Sequence, residues 1–245
     1  MKNFIEKEVF LGSQDELLQL IVANSNDKKR QAYFAINSDC MLNYWKDEEY
    51  RRIINQKESL VYVDGMGVIY AQKILKIPVA KERIATTDLF PALFKKLNTE
   101  KSDLKVFLLG GEQGTAAKVQ QNFLEQYPHV TIAGTHHGYF DHLESFNVIN
   151  LINTLNVDIL FVGLGNPKQE KWVQQYADFL EATTLITCGG LYDYYSYNVK
   201  RAPVLMQKTG FEWLFRLVQE PRRLYRRYIF GNFKYILKVL QLKFA

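Results

Sequence analysis

The 245-residue chain is 47% hydrophobic and 23% charged, an ordinary globular mix that excludes disordered, collagen-like and coiled-coil classes and leaves ample length for a sizeable core. Its two cysteines, Cys40 and Cys188, exclude a disulfide framework and favour a reducing, cytosolic setting. The net charge of +5 is uneven: from residue 200 onward eleven Lys and Arg face two acids, so a tail of +9 follows a body of −4, and such a tail calls for an anionic partner, whether nucleic acid, an anionic membrane or phosphates.

No long apolar run follows the first residues, so they do not read as a signal peptide, and no stretch of about 18 uncharged apolar residues predicts a spanning helix. The expectation is a soluble chain, or one that sits on a membrane without crossing it.

Along the chain, short apolar runs alternate with helical patterns. A strand at 32–36 leads into a helix at 39–55. The next strand, 59–63, ends in Asp64-Gly65-Met66-Gly67 and a helix at 66–75. A carboxylate there suits a general base or, equally, a helix N-cap. A helix at 87–97 precedes a strand at 105–109, which runs through Gly110-Gly111-Glu112-Gln113-Gly114 into a helix at 114–126. Its glycines admit a phosphate at the helix N-terminus or simply make a tight turn, and no full dinucleotide fingerprint is present. A strand at 130–133 is followed by His136 and His137 in a turn, without the spacing of a zinc site. After a helix at 143–156, the strand 159–162 runs into Gly163-Leu164-Gly165-Asn166-Pro167-Lys168-Gln169-Glu170 and a helix at 168–180. Free amides, the helix dipole and Lys168 make an anion site there; a capped helix start is the alternative. The strand 185–187 ends in Cys188-Gly189-Gly190, with Asp193 placed to bind a sugar or ribose hydroxyl and Cys188 read as a buried small residue. There is no Asp-x-Asp to hold a divalent metal on a nucleotide diphosphate.

This alternation predicts an α/β fold, a Rossmann-like, mostly parallel sheet flanked by helices, with ligands at the carboxyl ends of the strands. The body is assigned to residues 1–203 and a basic amphipathic helical appendage to 204–245. In the appendage, Phe211, Leu214, Phe215 and Val218 keep helical spacing, and so do Tyr225, Ile229, Phe233, Ile236 and Leu240. These stripes fit an interfacial membrane helix beside the cluster Arg222, Arg223, Arg226 and Arg227, or a helical pair packed on the body.

Three motifs sit in register over roughly residues 30 to 235. They are the Gly163–Glu170 segment, Lys200-Arg201-Ala202-Pro203, and Glu212-Trp213-Leu214-Phe215-Arg216-Leu217 followed by Glu220-Pro221-Arg222-Arg223-Leu224. On them the chain resembles the WecG/TagA/CpsF glycosyltransferases, glycosyltransferase family twenty-six. The resemblance implies transfer of a sugar, typically of N-acetylmannosamine type, from a UDP-sugar to a polyprenyl-diphosphate-linked sugar. Such products feed teichoic acid, enterobacterial common antigen, capsule or exopolysaccharide synthesis. It further implies an inverting reaction, no metal or other cofactor, and an appendage that docks on the inner face of the cell membrane from the cytoplasm and completes the active site. Asp64 matches the catalytic base and Asn37 an Asn near the sugar. Gln169 and Arg83 match substrate-contacting residues. Arg216, Arg223 and Arg226 match appendage arginines for the diphosphate. Gly110, Gly163, Gly165, Lys168 and Asp193 complete the expected donor site. Ala35, Thr86 and Tyr197 depart from the family's usual Thr, Gly and Gly near that pocket. On this reading the partners are the UDP-sugar, the lipid-linked acceptor and an anionic membrane surface, with no nucleic acid and with a homo-oligomer left open. A nucleic-acid-binding protein with a basic tail, or a nucleotide-cofactor oxidoreductase, are the alternatives.

Overall fold

A computed structural model describes residues 4–244. In chain order, β1 (Val9–Phe10) and α1 (Gln14–Asn26) lead into β2 (Gln31–Ile36), α2 (Ser38–Lys46), α3 (Glu48–Asn55), β3 (Ser59–Val63) and α4 (Met66–Leu75). Then follow α5 (Thr86–Glu100), β4 (Lys105–Gly110), α6 (Thr115–Gln126), β5 (Thr131–His136), α7 (Glu144–Thr154), β6 (Ile159–Gly163), α8 (Lys168–Tyr176), β7 (Thr184–Thr187) and α9 (Leu191–Tyr195). The appendage holds α10 (Val204–Thr209), α11 (Glu212–Gln219), α12 (Pro221–Tyr225), a π-helical segment at Arg226–Phe230 and α13 (Gly231–Phe244).

The seven strands form one sheet in the order β1-β3-β2-β7-β6-β4-β5, and every pair is parallel. The expected α/β parallel sheet is therefore the fold. Its strands are apolar on both faces, as burial under helices on both sides demands. One face packs Phe34, Val61, Leu109 and Leu160 against α2, α3, α7 and α8. The other packs Tyr33, Tyr62, Leu108 and Phe161 against α1, α5, α6 and α9.

Several predicted boundaries move for local reasons. The single helix expected at 39–55 breaks at Asp47, whose extended backbone closes α2 while its carboxylate accepts the Tyr50 N–H and caps α3. The helix expected to 180 ends as α-helix at Tyr176 and finishes in a 3-10 turn over Ala177–Phe179. β5 extends to His136, which lies in the strand rather than in a turn. The unpredicted α1 carries its own signal, a capping box in which Ser13 and Glu16 satisfy each other's backbone amides ahead of Leu17, Leu18, Ile21 and Val22. Pro91 stands inside α5 and offers no N–H to the Thr87 carbonyl; the Tyr195 hydroxyl donates there instead.

The appendage joins the body's core rather than forming one. Tyr235 and Val239 of α13 are buried in the same apolar cluster as Cys40 and Met41 of α2. Tyr235 stacks on Trp45 with ring centroids 5.7 Å apart, and its hydroxyl donates to the Gly67 carbonyl at 3.2 Å. The stripes singled out by helical spacing are not this buried face. Phe211, Leu214 and Val218 are exposed, and so are Tyr225, Ile229, Phe233, Ile236 and Leu240. The body is held instead by Tyr235, Val239 and the half-buried Leu242, a second stripe of the same helix. Among the described residues, no helix is long and apolar enough to cross a membrane.

Candidate active site

A parallel sheet gathers its βα loops at one end, and here they surround a cleft of about 1280 Å³ over the carboxyl ends of the strands, roofed by the appendage. The connections after β4 and β6 leave in opposite directions, so a crevice opens between their glycine turns. Gly110 itself does not line the cleft. It is buried at a φ of +142°, where a Cβ would meet the Gly163 carbonyl oxygen at 2.4 Å. Its expected ligand role gives way to packing: only a glycine lets β4 and β6 approach so closely. Gly111, Gly163 and Gly165 do line the cleft.

Asp64 follows β3, and its backbone N–H is anchored on the Ile36 carbonyl at 2.9 Å. It is not a helix cap: Gly65 takes the N-cap of α4, with no side-chain cap bond. The half-buried carboxylate instead faces the cleft and accepts the Thr86 hydroxyl at 3.3 Å, while Thr86 is 2.9 Å from the Tyr62 hydroxyl. Burial pushes its pKa up to about 6, the Arg83 guanidinium pulls it down, and the Glu212 carboxylate pushes it up again. Such a group is mostly ionised at neutral pH yet more basic than an ordinary aspartate, the property a general base needs.

Asn37 lines the same wall, but its Oδ1 accepts the N–H groups of Asp39 and Cys40 at 3.0 and 3.2 Å and caps α2. Gln169 is buried with both ends of its amide occupied: Nε2 donates to Glu170 Oε1, and Oε1 accepts the Gly189 N–H, each at 2.9 Å. It therefore braces the turn after β7. Glu170, missed in the sequence, is 1% exposed. Burial pushes its carboxyl up to about 7, Oε2 has no hydrogen bond, and Asn166 and Thr187 are near enough to favour its charge without bonding it. Lys168 stands exposed on the cleft rim. Cys188 lines the cleft, but burial raises its thiol to about 12, which makes it no nucleophile at neutral pH. His136 and His137 lie outside the cleft lining. Of the three departures from the family pattern, Ala35 and Thr86 line the cleft, whereas Tyr197 is exposed away from it.

The roof is cationic. Arg216 reaches Asp193 at 3.4 Å, Glu220 at 3.2 Å and the Tyr194 hydroxyl at 2.9 Å, and lies over the Tyr194 ring at 4.8 Å. It seats against Gly190, where a Cβ would stand 2.9 Å from its Nη2. Burial raises the Asp193 carboxyl, and Arg216 and Arg223 oppose that. Arg223 pairs with Glu220 at 2.6 Å, and Arg227 with Asp39 at 3.0 Å. Arg226 does not join them; it is exposed and outside the cleft lining, which Arg227 takes in its place. The backbone leaves the helical range at Glu220, so α11 and α12 approach the cleft separately; Arg223 of α12 and Arg227 of the π-helical segment that follows both line it. Arg83 points to the appendage, where it meets Glu212 at 2.7 Å. Arg201 bridges the same Glu212 and Asp88. Among the described residues, no group of three or more His, Cys, Asp or Glu side chains is gathered as a metal site.

The family model described as the WecG/TagA/CpsF family of glycosyl transferases matches residues 3–245. A curated protein of Staphylococcus aureus strain MW2 is 32% identical over 203 residues, covering 82% of this chain and 78% of its own. A second, from strain NCTC 8325 / PS 47, has the same figures, and a third, from strain MRSA252, is 31% identical over the same span. All three bear the name N-acetylglucosaminyldiphosphoundecaprenol N-acetyl-beta-D-mannosaminyltransferase.

Proposed function

Because the chain belongs to the WecG/TagA/CpsF glycosyl transferase family, we propose that it transfers an N-acetylmannosamine-type sugar from a UDP-sugar to a polyprenyl-diphosphate-linked sugar, with inversion and without a metal. The relatives' names, which specify an N-acetylmannosaminyl group and an N-acetylglucosaminyl-diphosphoundecaprenol acceptor, support the sugar and acceptor classes. One observation carries the reading: a carboxylate raised to about 6 and three appendage arginines, Arg216, Arg223 and Arg227, line a single cleft.

In the proposed reaction, Asp64 takes the proton of an acceptor hydroxyl as that oxygen attacks the anomeric carbon. The new C–O bond forms as the bond from that carbon to the UDP oxygen breaks on the opposite face, so one displacement inverts the centre. UDP leaves with the electron pair, and the proton on Asp64 passes to solvent. Arg216 and Arg223 neutralise the departing diphosphate, a task that guanidinium forks perform bidentately. Tyr194 and Glu220 hold Arg216 in place beforehand, so little reorganisation is needed at the moment of reaction.

The exposed stripe of α13, with Phe233 and Ile236 flanked by the Lys and Arg of the tail, is the face we assign to an anionic membrane surface, where the acceptor's lipid resides. The test is a screen of UDP-sugars with a short-chain polyprenyl-diphosphate N-acetylglucosamine, read by product mass and anomeric configuration. Product of inverted configuration from UDP-N-acetylmannosamine is expected. Retained configuration, or no product from any UDP-sugar, overturns the proposal.

A further inference from the structure

Arg83 lies in the loop before α5, close enough to Asp64 for its charge to favour the ionised carboxylate, yet it makes no hydrogen bond to it. Among the described residues, both of its hydrogen bonds run to the appendage. Nη1 donates to the Gln207 carbonyl at 3.0 Å and Nη2 to Glu212 Oε2 at 2.7 Å. Glu212 stands in the first turn of α11, with its other oxygen 3.6 Å from Nε of Arg201. Arg201 is itself gripped by both oxygens of Asp88 at 2.5 and 2.8 Å. The Arg83 and Glu212 side chains are only 13% and 18% exposed, so water screens them weakly. The groups that act on Asp64 are thus Arg83 from its own side of the cleft, Glu212 from the roof, and the Thr86 hydroxyl and backbone N–H beneath, that hydroxyl being 2.9 Å from the one of Tyr62.

We propose that Glu212 is a positioning residue for the base: by holding the Arg83 guanidinium on the appendage, it keeps that cation from pairing with Asp64. If α10 and α11 lift, Arg83 loses both partners, and Asp64 is a carboxylate on its own side of the cleft: the next residue, Ile84, donates its N–H at 2.8 Å to the carbonyl of Val63, which precedes Asp64. A paired aspartate has its oxygens occupied and its proton affinity lowered, so it accepts a hydroxyl proton poorly. A seated roof therefore does two things at once: it brings Arg216 and Arg223 over the leaving group and frees the base.

This inference rests on Asp64 being the base, and the two are tested separately. The Asp64 carboxyl is titrated by carbon NMR in the full chain, with its signal assigned by loss in Asp64→Asn. In Glu212→Gln the titration midpoint falls by about one pH unit, the scale of a newly formed ion pair, and the acid limb of kcat/KM moves down with it. Glu212 also acts on Asp64 directly through its own charge, so the same substitution is made in an Arg83→Met background. There the fall is less than half as large, because no cation remains to be released. Glu212→Asp, which keeps the charge but retracts it, gives a smaller fall and serves if Glu212→Gln does not fold. An unchanged midpoint, or equal falls in the two backgrounds, overturns the positioning role while leaving the base intact. Wild-type turnover by Asp64→Asn overturns the base, and the positioning role with it.

Discussion

Replacing Asp64 with Asn is expected to stabilise the protein while abolishing transfer. In an unfolded chain the aspartate loses its proton near 3.8, whereas in the folded protein burial holds it until about 6. Between these values the unfolded state has shed a proton that the native state keeps. The contribution of this group to stability is thus fully present below about 4 and is lost as the pH rises through about 6. A gap of about 2 pH units amounts to ~3 kcal/mol at pH 8. Asn carries no charge to desolvate, and its oxygen still accepts the Thr86 hydroxyl. The variant should match wild type at pH 4 and exceed it by up to ~3 kcal/mol at pH 8, or ~6–12 °C in Tm for a chain of this size. Urea unfolding of both proteins at pH 4, 6 and 8 measures this, and kcat/KM of the wild type should fall about tenfold per pH unit below about 6. A stability difference that does not vary with pH, or a variant weaker than wild type at pH 8, would refute the idea that the carboxylate is held in a desolvated, strained state for catalysis.

Other substitutions separate packing from chemistry. A Cβ in Gly190→Ala meets the Arg216 guanidinium at 2.9 Å and Asp193 Oδ2 at 3.3 Å, both side-chain ends rather than backbone, so it should cost no more than ~1 kcal/mol yet lower kcat tenfold or more as the guanidinium is displaced. Gly110→Ala meets backbone and should cost ~3 kcal/mol or more, seen as a lowered melting temperature. Glu170→Gln removes a buried carboxyl raised to about 7, so its stability relative to wild type should climb by up to ~3 kcal/mol as pH rises from about 5 to 8 in urea unfolding. Tyr235→Phe loses one hydrogen bond to Gly67, ~1 kcal/mol, whereas Tyr235→Ala also loses the stack on Trp45 and should cost ~3–4 kcal/mol, with faster amide exchange in α13.

The parallel sheet was legible in the chain's pattern, because short, wholly apolar runs alternating with helical patterns suit strands covered by helices on both faces. The same pattern placed Asp64, Gly163, Gly165 and Lys168 at loops on the binding end, since strand direction alone decides that. Local pattern also carries the Ser13/Glu16 capping box that starts α1, whereas the exchange of Arg226 for Arg227 at the cleft depends on the break at Glu220 and the π-helical segment after it. The partner that each polar group faces is fixed only on folding. The side-chain oxygens of Asn37 and Gln169, both expected in the site, accept backbone amides, and the Gln169 nitrogen donates to Glu170. Gly110 reads as a phosphate turn but is a packing contact against Gly163. Two apolar stripes run along α13, and periodicity cannot say which meets the body; Tyr235 and Val239 do, because Trp45 and Met41 offer the complementary surface, and Phe233 with Ile236 is left outside. The pairing of Arg83 with Glu212 joins residues 129 positions apart, and the state of Asp64 depends on it. Charge and burial act through space, and only the folded chain fixes those distances.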